Sequence, residues 1–209
     1  MTKSCTKHAI SSRISTAPYA GVIADGNGNL YGTTYLGGSD IVGIVYRIAP
    51  DGSEAVLHTF SGSDGFFPYA DLIVDGSGNL YGTTSEGGTN DDGTVFKLAS
   101  DGTETVLYSF AGETKHDGAF PYAGLIMDKS GDLYGTTFAG GRGCRAGHGC
   151  GTVFKIAADG SETVLHSFKE QSDGAGPSAD LIADNAGDLY GITSSGGAHG
   201  YGTVFTLGK

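Results

Sequence analysis

Apolar positions along this chain fall in short runs rich in Val, Ile, Leu, Phe, Tyr and Thr, each closed by Gly, Asp, Asn or Ser. Runs of this kind predict strands, and no stretch carries a helical period long enough to compete. Between residues 70 and 110 they are Ala70–Asp75 (ADLIVD), Leu80–Thr84 (LYGTT), Thr94–Ala99 (TVFKLA) and Glu104–Phe110 (ETVLYSF). The same pieces return in order at residues 125–128, 133–137, 152–157 and 162–168. Asp75-Gly76-Ser77-Gly78-Asn79 and Ser100-Asp101-Gly102-Thr103 join neighbouring runs and predict hairpins. Glycine supplies positive φ there, and aspartate bonds backbone amides two residues on.

The runs belong to an internal repeat. Pro18, Pro68, Pro121 and Pro177 open copies spaced by 50, 53 and 56 residues, a period suited to four-stranded blades. The prediction is an all-β chain: a β-propeller of four blades, each of four antiparallel strands, with repeats 18–67, 68–120, 121–176 and 177–209 in a single domain, 1–209. The last copy runs through Leu181–Asp184, Leu189–Thr193 and Thr203–Leu207 and then lacks an outer strand. Residues 5–16, where Ile10 and Ile14 alternate with polar neighbours, are expected to supply it and close the ring, leaving no free edge. The alternative is half of an eight-bladed ring made by two chains, so monomer and homodimer both stand.

Composition narrows the function classes. Glycine makes up 38 of 209 residues, which fits a fold dense in turns. Twelve basic against 23 acidic residues leave a net charge of −11 with no basic cluster, which excludes a nucleic-acid surface. No apolar run approaches the ~20 residues of a membrane span, so no membrane insertion is expected. The start, Met1-Thr2-Lys3-Ser4-Cys5, lacks the apolar core of an export signal.

The run Leu80-Tyr81-Gly82-Thr83-Thr84, then Gly87-Gly88, Gly93-Thr94-Val95-Phe96-Lys97-Leu98 and Asp101-Gly102-Thr103-Glu104-Thr105-Val106-Leu107, resembles the GloVer repeat of choice-of-anchor tandem repeat proteins. The resemblance covers nearly the whole chain from Pro18. The first two strands of each copy are also similar, more loosely, to NHL-type propeller blades. The family resemblance implies a bacterial propeller, extracellular or attached to the cell surface, and lends no catalytic residues.

Cys144 and Cys150 stand in one enlarged loop whose glycines let two thiols meet, so a disulfide is expected there. The sharper alternative, zinc held by Cys144, His148 and Cys150, is short of a fourth ligand. Comparison of the copies places function on one face. The turns DGNGN, DGSGN, DKSGD and DNAGD barely change, whereas the loops after the second strand and between blades vary, and both emerge on the same side.

Tyr19, Tyr69 and Tyr122 follow the blade-opening prolines, with Ser178 in the fourth copy, and should ring the channel mouth or pack between blades. Two positions on stand Gly21, Asp71, Gly124 and Asp180. Asp71 and Asp180 could hold a cation, orient sugar hydroxyls, act as general acid and base, or simply cap amides. His116, His148 and His199 lie in variable loops and are the candidate acid–base partners if the chain is an enzyme, with His199 and Tyr201 also candidate ligand contacts. His58 and His166 share a register with Tyr108 on the outer strand, which places all three on the solvent-facing rim in a structural role. No nucleophile elbow, zinc-protease helix, phosphate loop or dinucleotide fingerprint is present. No cofactor and no metal ligand set is assigned, with calcium or another cation in the channel kept as a separate reading. The expected activity is ligand binding, foremost of carbohydrate, through the variable-loop face; a polysaccharide- or small-molecule-acting hydrolase or lyase, or a protein-interaction scaffold, are the alternatives.

Overall fold

The computed structural model describes residues 17–142, 149–171 and 173–208. Three four-stranded antiparallel sheets follow one another, each in simple sequence order. The first joins Ile23–Ala24, Leu30–Thr34, Ile44–Ile48 and Glu54–Thr59; the second Ile73–Val74, Leu80–Thr84, Thr94–Leu98 and Glu104–Ser109; the third Ile126–Met127, Leu133–Thr137, Thr152–Ile156 and Glu162–Ser167. The opening strand of each is shorter than its apolar run, because only the residues next to the turn pair with the second strand, as in Ile73↔Tyr81 and Val74↔Leu80. In all three sheets the register between third and fourth strands shifts after a valine, at Val45, Val95 and Val153. Such bulges raise the local twist.

The fourth sheet holds Ile182–Ala183, Leu189–Ser195 and Val204–Leu207, with Ala175–Pro177 paired to the far end of its long middle strand. Residues 5–16, expected to complete this blade, lie outside the described residues. Among the described residues Val204–Leu207 has no further partner strand, so the expected ring without a free edge is not seen there. A two-stranded ladder of Gly118–Ala119 with Ala139–Gly140, unforeseen from the repeat, ties an inter-blade loop to the loop after a second strand. Phe66 and Glu86 make the same tie one blade earlier. The two variable loop types therefore do share a face.

The core lies between sheets. Period-two alternation sends Val95 forward and Phe96 and Leu98 back, so each blade contributes to two joints. Val45 and Phe60 of the first blade meet Leu72, Leu80, Phe96 and Leu98 of the second. Val95 and Phe110 meet Leu125, Leu133, Phe154 and Ile156 of the third, and Val153 and Phe168 meet Leu181 and Leu189 of the fourth. The glycine of each LYG triplet makes room for these rings: a Cβ on Gly82 would fall 2.8 Å from Leu72 Cδ2 and from Phe96 Cζ. Polar ties reinforce the joints, since the Thr33 hydroxyl donates to the Ala70 carbonyl and Thr83 to that of Ala123.

The recurrent Asp-to-Tyr motif is a closed turn. Asp25 Oδ1 accepts from the amides of Asn27 and Asn29 at 2.9 Å, and its Oδ2 accepts from Asn29 Nδ2 and from the Tyr31 hydroxyl at 3.1 Å. The Asn29 side chain foremost holds the Asp25 carboxyl down at about 2. Tyr81, Tyr134 and Tyr190 donate likewise to Asp75, Asp128 and Asp184. These aspartates are scaffold, as the constancy of the turns implies.

Candidate functional site

Two repeat positions converge on the variable-loop face. One follows each opening proline: Tyr19, Tyr69, Tyr122 and Ser178. The other directly follows the second strand and contributes Tyr35, Ser85 and Phe138. With Glu86 they line an open cleft of about 600 Å³. The aromatic rings form one continuous arc. Tyr19 stacks on Tyr69 at 5.1 Å and meets Tyr35 edge-on at 5.4 Å. Tyr69 meets Tyr122 at 5.7 Å, and Tyr122 meets Phe138 at 5.4 Å. Tyr19 and Tyr69 remain 60% and 41% exposed, so the rings have faces and edges free for a ligand.

Backbone strain places this arc. Ala17, Phe67 and Phe120 each precede a proline yet have φ near +60°, values of 61, 60 and 56. A residue before proline is ordinarily extended, and a side chain in the left-handed region costs on the order of 1–3 kcal/mol. Each of these carbonyls accepts the amide of the residue after a second strand: Tyr35 at 3.0 Å, Ser85 at 3.1 Å and Phe138 at 3.0 Å. That bond locks the two ring-bearing positions of a blade side by side.

Glu86 is the carboxyl of the cleft. Burial, helped by Asp91, pushes it above the usual carboxylate range. Burial likewise raises the phenols of Tyr35 and Tyr122, with Glu86 adding to both, so they remain hydroxyls that donate and accept. A surface of stacked rings, hydroxyls and one carboxyl suits a polar ring-shaped ligand.

The other predicted residues do not gather here. Asp71 accepts the Gly21 amide of the preceding blade through Oδ1, and Asp180 accepts the Gly124 amide at 2.6 Å. Each thus braces a neighbouring inner strand, and neither lines the cleft. His116 caps the short helix Glu113–Lys115 and lines an outer-rim hollow with His166 and Arg142. His199 and Tyr201 are exposed and outside the cleft, Tyr201 at 91%. Cys150 is in a disulfide, which removes it from the zinc reading. Its expected partner Cys144, like His148, lies outside the described residues. Tyr35, Phe138 and Glu86 were not anticipated. The signal for the first two was their shared place immediately after LYGTT.

His58 and His166 pin inter-blade loops, lying 2.9 Å from Asp64 and 2.7 Å from Asp173. They are half-buried rather than solvent-facing. Glu104 of the next blade joins His58 and Asp64, with one ligand atom of each within 4.8 Å of the others. The following joint repeats the arrangement with a phenol: Tyr108 donates to Asp117 at 2.9 Å, beside Glu162. Burial first, and the facing aspartate second, raise Glu104 and Glu162 to about 7. Recurrence with tyrosine in place of histidine makes this a feature of the blade joint, a carboxyl that holds its proton near neutrality.

Residues 7–209 match the model of the Gloeobacter/Verrucomicrobia repeat. The chain belongs to that repeat family. No curated protein matches it. Among solved structures, the repeat protein is similar in fold to virginiamycin B lyase from Staphylococcus aureus, with 15% identity and a TM-score of 0.60 over 91% of this chain and 55% of the lyase. It is also similar to a gluconolactonase from Xanthomonas campestris, with 19% identity and a TM-score of 0.56 over 90% of this chain and 60% of that one. A third is PorZ, a surface component of the type-IX secretion system of Porphyromonas gingivalis, with 15% identity and a TM-score of 0.52 over 96% of this chain and 28% of PorZ. The fold is therefore that of propeller-like proteins, and the chain spans little more than half of the first two. Among the described residues no helix is long and apolar enough to cross a membrane.

Proposed function

We propose that this chain is a four-bladed propeller unit that binds a carbohydrate or similarly polar ring-shaped ligand on its variable-loop face, outside the cell or at its surface. The observation that carries the reading is the continuous arc of Tyr19, Tyr35, Tyr69, Tyr122 and Phe138 beside Glu86. Aromatic faces take the apolar side of a sugar ring, while phenol hydroxyls and the carboxyl take its hydroxyls. The disulfide at Cys150 suits an oxidising compartment.

Thermal melts against a panel of mono- and oligosaccharides, with calcium or with chelator, and with each mixture assayed for product, test the reading. A ligand at a hundred times its Kd adds about 2.7 kcal/mol. For a domain of this size that raises Tm by roughly 5–10 °C. The rise is expected in wild type and lost in Tyr69→Ala/Tyr122→Ala. A flat panel overturns sugar binding, a shift seen only with calcium assigns a cation, and a consumed substrate replaces the binding module with an enzyme.

A further inference from the structure

The aromatic cleft holds a negative charge and nothing of its own to balance it. Of the described residues lining it, Glu86 alone is charged, and no Lys, Arg or His is among them. Asp91 adds a second negative charge to the field at Glu86. The Glu86 side chain makes no ion pair among the described residues, where the ion pairs join His58 to Asp64, Lys155 to Asp132 and His166 to Asp173. Its backbone, by contrast, is engaged. The Phe66 amide donates to the Glu86 carbonyl at 2.9 Å and the Glu86 amide donates to the Phe66 carbonyl at 3.2 Å. The Thr84 hydroxyl donates to the same Glu86 carbonyl at 3.0 Å. A fixed main chain thus carries a carboxyl with no counter-ion.

The scaffold does not call for a charge at this position. The counterparts of Glu86 in the other copies are Leu36, Ala139 and Ser195, all neutral. The preceding position departs too, since Ser85 stands where the first and third copies place the rings of Tyr35 and Phe138. Ser85 is buried and turns its hydroxyl to the Phe67 carbonyl at 3.0 Å, so a ring is withheld next to the carboxyl. Tyr35 and Tyr122 lie close enough to Glu86 for its charge to act on both phenols. A carboxyl within reach of aromatic rings attracts an organic cation, because a ring face draws positive charge and an ammonium donates to a carboxylate.

We infer that the group this cleft selects is an ammonium borne on the sugar ring, so that the ligand is an amino sugar or an oligomer of one. The inference rests on the carbohydrate reading and adds a charge to it. A neutral sugar leaves the Glu86 charge unpaired as the cleft loses water, and an acidic sugar is repelled. A protonated amine removes both penalties, donating to the carboxylate while its charge lies against the ring faces. The net charge of −11 favours the approach of the same ligands from solution.

Calorimetric titration of the full chain with the tetramers of glucosamine, N-acetylglucosamine and glucose tests this, at a pH just below neutral where the free amines are protonated. The glucosamine tetramer is expected to bind about tenfold tighter than either neutral tetramer. Glu86→Gln should bring the ratio of these affinities near one, a readout that partial loss of folded protein does not move. Asp101→Asn removes the same charge from the turn between third and fourth strands and keeps an acceptor for the Thr103 amide, so the preference should survive it. Equal affinity for charged and neutral tetramers overturns the inference and leaves carbohydrate binding standing. An amine preference that survives Glu86→Gln, or that Asp101→Asn reduces as far, overturns it as general attraction to an acidic protein. Binding of no tetramer at all overturns both readings.

Discussion

Glu104 and Glu162 make the blade joints sensitive to pH. Each carboxyl moves from its ordinary 4.5 to about 7, chiefly by burial, with Asp64 and Asp117 facing them. A carboxyl whose pKa rises on folding gives stability that is fully present below the unfolded value and is lost as pH rises through the folded one. The fold is therefore expected to weaken between about pH 5 and pH 8. In a dry site a shift of this size is worth ~3 kcal/mol. These side chains are partly exposed and screened, so about 1 kcal/mol each is retained.

Glutamine has the shape of the protonated carboxyl and carries no charge for burial or the facing aspartate to penalise. Glu104→Gln/Glu162→Gln should thus raise Tm at pH 8 by roughly 4–8 °C and leave it nearly unchanged at pH 5. Melts of both proteins across this range, followed by circular dichroism, read the difference directly. A double variant that tracks wild type at every pH, or that is less stable at pH 8, refutes the reasoning.

Two further substitutions probe the joints themselves. Phe96→Ala removes a fully buried ring packed 5.1 Å from Phe60, and should cost about 4 kcal/mol in urea unfolding. Gly65→Ala puts a Cβ 2.1 Å from Thr84 Oγ1 at a φ of +117°, breaking into the Thr84–Thr94 hydroxyl pair. A loss of about 3 kcal/mol is expected, seen as a lowered urea midpoint.

Most of the scaffold was legible because its devices repeat. The Asp25–Tyr31 turn, the Phe96 ring over Gly82 and the Thr84–Thr94 pair each leave the same letters in successive copies. The cleft was half legible. Tyr19, Tyr69 and Tyr122 follow a proline and stand out, whereas Tyr35, Ser85 and Phe138 differ between copies and read as loop. Glu86 enters the cleft through the backbone pairing of its loop with Phe66, a contact between separate segments that no local pattern records. Asp71 and Asp180 looked like a pair across a channel. Their partners are Gly21 and Gly124 on the preceding blades, and the alternation of Asp with Gly was the trace of that brace.

The apolar joints described above unite blades that are neighbours in sequence, about fifty residues apart. Among the described residues, none of these joints waits for the two ends of the chain to meet. Folding can begin at any joint and spread blade by blade, as in a linear array. The reverse process is expected to start at Val204–Leu207, which has no further partner strand among the described residues. Amide exchange should accordingly be slowest in Leu80–Thr84 and Leu133–Thr137 and fastest in Val204–Leu207.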